Sequence, residues 1–151
     1  MPTHYSGTPN EIRTLDTFIK LTRCTNSILA RLAERNSLGD LTPSQFAVLE
    51  ALYHLGSMTP GEISAKVLKS GSNLTTVIDN LERDGLVRRE RDEDDRRVIH
   101  VRLLEAGKNK LEDVLPNHVA ALVEEFGVLS ADEQARLSQL CKKLGQRKES
   151  G

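Results

Sequence analysis

Arginines, acidic residues and short polar side chains are concentrated in one part of the chain, between residues 70 and 103. Seven arginines lie from Arg83 to Arg102, and seven acidic residues from Glu82 to Asp95 are interleaved with them. Guanidinium groups bind phosphate oxygens, and short hydroxyl or amide side chains form hydrogen bonds with base edges. The interleaved acids are equally typical of a solvated surface that neutralises itself, so charge alone does not decide between the two interpretations.

The short polar residues lie on a predicted helix between residues 70 and 85. Its apolar residues follow one helical face, with Leu74, Val77, Ile78 and Leu81 at spacings of three, four and seven. Gly85 can adopt the left-handed conformation that ends a helix. The remaining positions carry a capping serine and a polar face: Ser70, Ser72, Asn73, Thr75, Thr76, Asp79, Asn80 and Arg83.

A charged hairpin is predicted directly after this helix. Residues 86–91 and 97–103 have strand character and flank the tip 92–96, and in the second strand Ile99 and Val101 alternate with polar neighbours. A short helix pair followed by an arginine-tipped hairpin is the layout of a winged helix-turn-helix. That architecture places one helix in a major groove and the hairpin on the neighbouring minor groove of DNA.

Capping signals predict the helices that support this segment. The runs Thr42-Pro43-Ser44-Gln45 and Thr59-Pro60-Gly61-Glu62 each combine a capping Thr with a Pro at the first helical position and a residue that can complete a capping box. The run Ser130-Ala131-Asp132-Glu133 gives a third capping box, for a last helix that ends near Gly145.

Long apolar helices are predicted at both ends of the chain. One begins at Glu11 and ends near Asn36 to Gly39, and another follows Gly107, with Pro116 expected to kink it. Their apolar faces are too long to be covered locally, so we expect a homodimer. The predicted fold is mainly α with a small β-hairpin wing. The expected parts are a flexible tail (1–10) and a single domain (11–151), which contains the winged helix-turn-helix (42–103) and the dimerisation helices (11–38 plus 105–146).

Composition excludes several classes of protein. The chain has 151 residues with 38% apolar and 3% aromatic side chains, and its net charge of -1 does not by itself indicate a nucleic-acid binder. It lacks a membrane span and a basic-then-apolar leader, so we expect a cytoplasmic protein. Cys24 and Cys141 are too isolated for a disulfide framework or a zinc site. Without a nucleophile–base pair, a phosphate loop or metal-ligand spacing, no enzyme, metal or cofactor is expected.

Three runs of the sequence resemble the MarR family of bacterial transcription regulators, and the resemblance extends from Glu11 to Gly145. Residues 92–98 resemble the acidic-then-DRR wing of the family, residues 101–107 the start of its long helix, and residues 81–88 its link from reading helix to wing. Leu104 stands where Thr is usual. Many members carry Arg where this chain has Thr76 and Asn80, and here the pattern is more similar to the subgroup of quinone- and hydroquinone-responsive repressors.

The resemblance implies a dimeric repressor on a palindromic operator in double-stranded DNA, released by a small aromatic ligand or by oxidation. Arg96 at the wing tip is expected to enter a minor groove, where the negative potential is highest, and Arg97 is expected to pair with Asp95 and hold the tip in shape. The helix candidates for the major groove are Ser72, Asn73, Thr75 and Thr76, and Ser70 is a further DNA-binding candidate. Arg83 and Arg88 are expected nearer the phosphates.

The sequence indicates the residues that could sense a ligand or an oxidant less clearly than it indicates the DNA-binding segment. Because family ligands lie between the dimer helices and the wing domain, the pocket candidates are Phe18, Tyr53, His54 and His118. Cys24 is a redox candidate, although a small buried or half-buried side chain is the plainer interpretation. Two alternatives therefore stay open beside ligand-controlled repression: a thiol-based redox sensor that uses Cys24, and a winged-helix protein-interaction module that does not bind DNA.

Overall fold

The structure is a computed structural model that describes residues 3–67 and 71–146, without the side chain of Ser72. Its elements are α1 (Pro9–Arg35), α2 (Pro43–Leu55), α3 (Pro60–Val67), α4 (Gly71–Arg83), β1 (Val87–Arg91), β2 (Ile99–Leu103), α5 (Glu105–Phe126) and α6 (Ala131–Gly145). The predicted class, mainly α with one β-hairpin, is confirmed. The chain forms two compact units, one made of residues 37–118 and the other of the chain up to residue 36 and from residue 119.

The helix ends follow the capping signals. Thr42 and Ser130 each form a complete capping box with the residue three positions on, as predicted. Helix α1 begins at Pro9, two residues earlier than the predicted Glu11, because the Thr8 hydroxyl accepts a hydrogen bond from the backbone N–H of Glu11 and caps the helix there. Helix α5 runs from Glu105 to Phe126 and includes Pro116 without a break.

The core of the 37–118 unit lies where α2, α3 and α4 pack against the hairpin and the start of α5. The buried side chains that meet there include Leu49, Ile63, Ile78, Leu81, Val87, Val101 and Leu111. Strands β1 and β2 are antiparallel, with Val87 opposite Leu103 and Arg91 opposite Ile99. Met58 pairs with Val101 through two backbone hydrogen bonds of 3.2 and 2.7 Å, so the segment before α3 extends the sheet at β2.

The start of α5 packs against the backbone just before β1. The backbone N–H of Leu104 donates to the carbonyl of Leu86 at 3.0 Å. A Cβ placed on Gly107 would lie 2.2 Å from that carbonyl oxygen and 2.7 Å from the side chain of Leu103. Only glycine therefore lets the first turn of α5 approach the hairpin this closely. This close packing gives a physical reason for the glycine in residues 101–107, the run that resembles the family pattern.

The second unit contains α1, the C-terminal part of α5, and α6. Its only buried apolar side chains among the described residues are Leu32 and Ala121. Arg31 pairs with Glu125 at 2.7 Å, and Arg35 pairs with Glu124. Large apolar side chains of this unit are exposed along all three helices, among them Ile12, Phe18, Leu21, Leu29, Val119, Val123, Leu137, Leu140 and Leu144. Among the described residues, no helix combines the length and the apolar character that a membrane span requires.

Gly107→Ala should lower the free energy of unfolding by about 1–3 kcal/mol, because the added methyl group must displace either the backbone carbonyl of Leu86 or the start of α5. Chemical denaturation monitored by circular dichroism measures the change. Gly145→Ala is the matched control, since a Cβ at Gly145 meets no atom within 4 Å. The control should be neutral or slightly stabilising. Equal effects of the two substitutions would contradict the packing described above.

Candidate nucleic-acid interface

Helix α4 buries one face and presents the other to solvent. Leu74, Ile78 and Leu81 are buried to 2% exposure or less, which fixes the helix against the core. The opposite side presents Asn73, Thr75 and Thr76, all exposed. Ser70 and the side chain of Ser72 lie outside the described residues. The predicted amphipathic division of this helix is thus confirmed for residues 73–83.

Arg89 ties the hairpin to α4. Its Nη2 donates to Asp79 at 2.7 Å and its Nη1 to Glu82 at 2.9 Å. Its backbone N–H also donates to the second carboxylate oxygen of Glu82, at 2.9 Å. This hydrogen bond is the main cause that holds the pKa of Glu82 below its ordinary value, and the guanidinium of Arg89 adds to the effect. The carboxylate of Glu82 is therefore stabilised in its charged form by both parts of one residue.

The sequence alone did not single out Arg89 as a link between helix and wing. The available signal was the three-residue spacing of Asp79 and Glu82, which places both carboxylates on one side of a helix. Nothing local to β1 indicated which of the neighbouring arginines would face them. The strand register decides this, because Arg89 lies opposite the buried Val101 and thus on the inner side of the hairpin.

The wing tip is held by hydrogen bonds within the hairpin. The Nε of Arg97 and its backbone N–H both donate to Asp95 Oδ1 at 3.1 Å, which confirms the predicted pairing of these two residues. Val98 donates its backbone N–H to the carbonyl of Asp95 at 3.0 Å. From the first strand, Arg91 donates to the backbone carbonyl of Arg96 at 2.9 Å. The backbone around Arg96 is therefore anchored by Arg91 of the first strand and by hydrogen bonds within the turn.

Most of the seven arginines are engaged by neighbouring groups. Those with a partner are Arg83 with Asp84, Arg89 with Asp79 and Glu82, Arg91 with a backbone carbonyl, Arg97 with Asp95, and Arg102 with Glu90. Arg88 and Arg96 are exposed, and in the described part of the chain no hydrogen bond or ion pair engages their guanidinium groups. Many of the interleaved acids therefore neutralise particular arginines and leave these two available to an external anion.

The four pocket candidates fall into separate surroundings. His118 lies 3.0 Å from the hydroxyl of Ser37, stacks obliquely on Phe46, and has its pKa lowered mainly by burial. Tyr53 donates to Glu112 at 3.2 Å and contacts the ring of His54 edge-on. Phe18, which is 60% exposed, belongs to the other compact unit. Ser37, which no sequence pattern indicated, is a buried polar residue whose carbonyl also accepts a hydrogen bond from Asn117.

The cysteines differ from the sequence-based interpretation. Cys24, expected as a buried or half-buried side chain, is exposed, and Cys141 is exposed as well. Both are free thiols. Within residues 3–67 and 71–146, no group of three or more His, Cys, Asp or Glu side chains is arranged to hold a metal ion.

The chain is similar in sequence and in fold to known transcriptional regulators. The profile of the MarR family matches residues 41–99. The HTH-type transcriptional regulator MhqR of Bacillus subtilis (strain 168) is 35% identical over 133 residues, which cover 88% of this chain and 92% of that protein. A probable transcriptional regulator of Pseudomonas aeruginosa, known from its crystal structure, is 29% identical with a TM-score of 0.74, covering 85% of this chain and 95% of the other.

A third similarity concerns the fold alone. BpsR of Bordetella bronchiseptica, whose DNA binding is regulated by 6-hydroxynicotinic acid, has a TM-score of 0.78 at 23% identity over 98% of this chain and 100% of its own. Together with the winged helix described above, these findings show that the chain belongs to the MarR family of DNA-binding transcriptional regulators. It is a regulator of transcription rather than an enzyme.

Proposed function

We propose that this chain is a homodimeric repressor that binds a palindromic operator and is released by a small aromatic ligand. The observation that carries the proposal is the exposed side chain of Arg96 at a hairpin tip whose backbone is held by Arg91 of β1 and by hydrogen bonds within the turn. A preorganised arginine at such a tip suits insertion into a narrow minor groove, where the negative potential is strongest. The hairpin thus serves as the wing of the DNA-binding unit.

Helix α4 is proposed to lie in the adjacent major groove. Asn73, Thr75 and Thr76 are exposed on it, and their short side chains can form hydrogen bonds with base edges. Thr76 and Asn80 are uncharged where many relatives have arginine, so base contacts at these two positions differ from those of such relatives. Arg83 and Arg88 are proposed to contact phosphates, which position the protein without reading sequence.

Arg96→Ala should weaken binding to an operator duplex by about 1–3 kcal/mol and relax the preference for A·T pairs at the wing site, since the minor-groove contact is lost. Fluorescence anisotropy with duplexes that differ only in the flanking base pairs measures both effects. Arg88→Ala should instead weaken binding to all duplexes alike and reduce the salt slope by about one.

The matched control is Lys142→Ala, which removes one positive charge from the side of α6 opposite its apolar stripe and outside the winged helix. It should leave the affinity nearly unchanged. If Arg96→Ala bound all duplexes as tightly as the control does, the minor-groove role of Arg96 would be excluded.

Dimer formation is proposed from the apolar side chains of the second unit. In α6, Leu137, Leu140 and Leu144 recur at helical spacing and are 41%, 46% and 63% exposed, and no residue of this helix is buried. Contiguous exposed apolar surface of this kind marks an interface. A second copy of the chain is the proposed partner, because a palindromic operator requires two reading helices about one DNA turn, ~34 Å, apart.

Leu140→Asp combined with Leu144→Asp should convert the dimer into a monomer, because two carboxylates would be buried without partners in the interface. Analytical ultracentrifugation measures the mass in solution. Gln139→Asp, one position from Leu140 but off the apolar stripe, is the control and should stay dimeric. A wild-type chain that sediments as a monomer at micromolar concentration would contradict the proposed assembly.

Control by a small aromatic ligand is proposed from the resemblance to quinone- and hydroquinone-responsive repressors and from the half-buried, stacked imidazole of His118.

Simple phenols and quinones should release a bound duplex, whereas an aliphatic acid of similar size should not. The Cys24→Ser variant should respond as the wild type does. Anisotropy titrations measure the release. Release that requires an oxidant and disappears in Cys24→Ser would instead establish the redox alternative.

A further inference from the structure

The carboxylate of Asp92 organises the wing tip with both of its oxygens. Its Oδ2 accepts hydrogen bonds from the backbone N–H groups of Asp94 at 3.0 Å and Asp95 at 2.9 Å. Its Oδ1 lies 3.0 Å from Nε2 of His100 on β2. The side chains of Asp92 and His100 are about one-third exposed, at 32% and 35%. Solvent can therefore exchange protons with the pair, although most of its surface is covered. Asp92 therefore joins the turn to the second strand.

The position of Arg96 depends on this turn. Asp95, whose N–H is held by Asp92, accepts the side-chain and backbone hydrogen bonds of Arg97. Arg96 lies between these two residues, and its carbonyl is fixed separately by Arg91. A change in the orientation of Asp92 thus displaces the backbone that presents the guanidinium of Arg96.

The other carboxylate on the same face of the hairpin as His100 is already paired with an arginine. Glu90, directly opposite His100 in the strand register, pairs with Arg102 at 2.9 Å. Arg88 lies opposite Arg102, so two cations and one carboxylate that is already paired share this face of the hairpin with His100. Asp92 is consequently the ion-pair partner of His100 when the imidazole carries a proton.

We propose that His100 and Asp92 are positioning residues for DNA binding, which present Arg96 more firmly when His100 is protonated, so that DNA affinity responds to pH through the wing. The inference rests on the proposed minor-groove role of Arg96. A charge-assisted hydrogen bond is about twice as strong as a neutral one. Imidazoles change charge between about pH 5 and pH 8, so the imidazole–carboxylate contact strengthens as the pH falls across this range.

The state of Asp92 supports this direction. The backbone N–H of Asp95, and after it His100, hold the pKa of Asp92 below its ordinary value. Asp92 therefore remains a carboxylate wherever an imidazole gains its proton. Because Asp92 stays charged across the range in which imidazoles in general gain their proton, acidification can only strengthen the imidazole–carboxylate contact.

The test compares the wild type with His100→Gln, in which the amide nitrogen can replace Nε2 as a donor but cannot acquire charge. The probe is a duplex selected from sheared genomic DNA by the wild-type protein, and the readout is its dissociation constant at pH 8 and pH 6 at fixed ionic strength. The wild type should gain about two- to five-fold more affinity on acidification than the variant, in line with partly exposed ion pairs. His4, His54 and His118 are common to both proteins and cancel.

The same comparison in an Arg96→Ala background separates positioning from direct attraction. If His100 acts through Arg96, the extra gain at pH 6 should vanish in that background. A gain that persists there would mean that the imidazolium attracts DNA by itself, and equal pH profiles of the wild type and His100→Gln would mean that the pair has no effect. Either result overturns the proposal. Circular dichroism at both pH values confirms that the compared proteins are folded.

The same measurements distinguish an error in the proposed role of Arg96 from an error in the proposed role of His100. If Arg96→Ala alone binds the duplex as tightly as the wild type at both pH values, the minor-groove role is wrong and the positioning role falls with it. If Arg96→Ala binds weakly while the His100 comparison shows no pH difference, only the positioning role is wrong.

Discussion

The attachment of the β-hairpin to α4 is the constraint on which the DNA-binding unit depends. In the proposed complex, helix and wing contact neighbouring grooves at the same time, which requires their relative position to be set before DNA is bound. Buried Ile78, Leu81 and Val87 supply the apolar part of this attachment, and Arg89 supplies the polar part through Asp79 and Glu82. The close packing of Gly107 against Leu86 then fixes the start of α5 to the same hairpin.

A nearly neutral chain can still present a specific cationic surface. Asp95 and Glu90 engage Arg97 and Arg102, so these acids shape the wing and do not oppose its charge uniformly. Among the described arginines of this segment, Arg88 and Arg96 are exposed and have no hydrogen-bond or ion-pair partner for their guanidinium groups. A net charge of -1 is therefore compatible with DNA binding, because association depends on the local field where the groups meet the phosphates.

Local features of this structure could be predicted from the sequence, and contacts across elements could not. The capping boxes at Thr42 and Ser130 and the pairing of Asp95 with Arg97 join residues two or three positions apart, so residue type and spacing suffice. The contacts of Arg89 with α4 and of His100 with Asp92 depend on strand register and on how the hairpin packs. The exposure of Cys24 differed from expectation because burial on α1 depends on what covers that helix.

Hydroxyl-radical footprinting of the wild-type protein on a duplex selected from sheared genomic DNA most directly tests whether this is a dimer that reads two half-sites with a helix and a wing each. The expected footprint is two-fold symmetric and spans roughly two turns of DNA, with minor-groove protection outside each major-groove site. Protection of a single half-site, or no duplex enriched over non-specific binding at moderate salt, would contradict this arrangement.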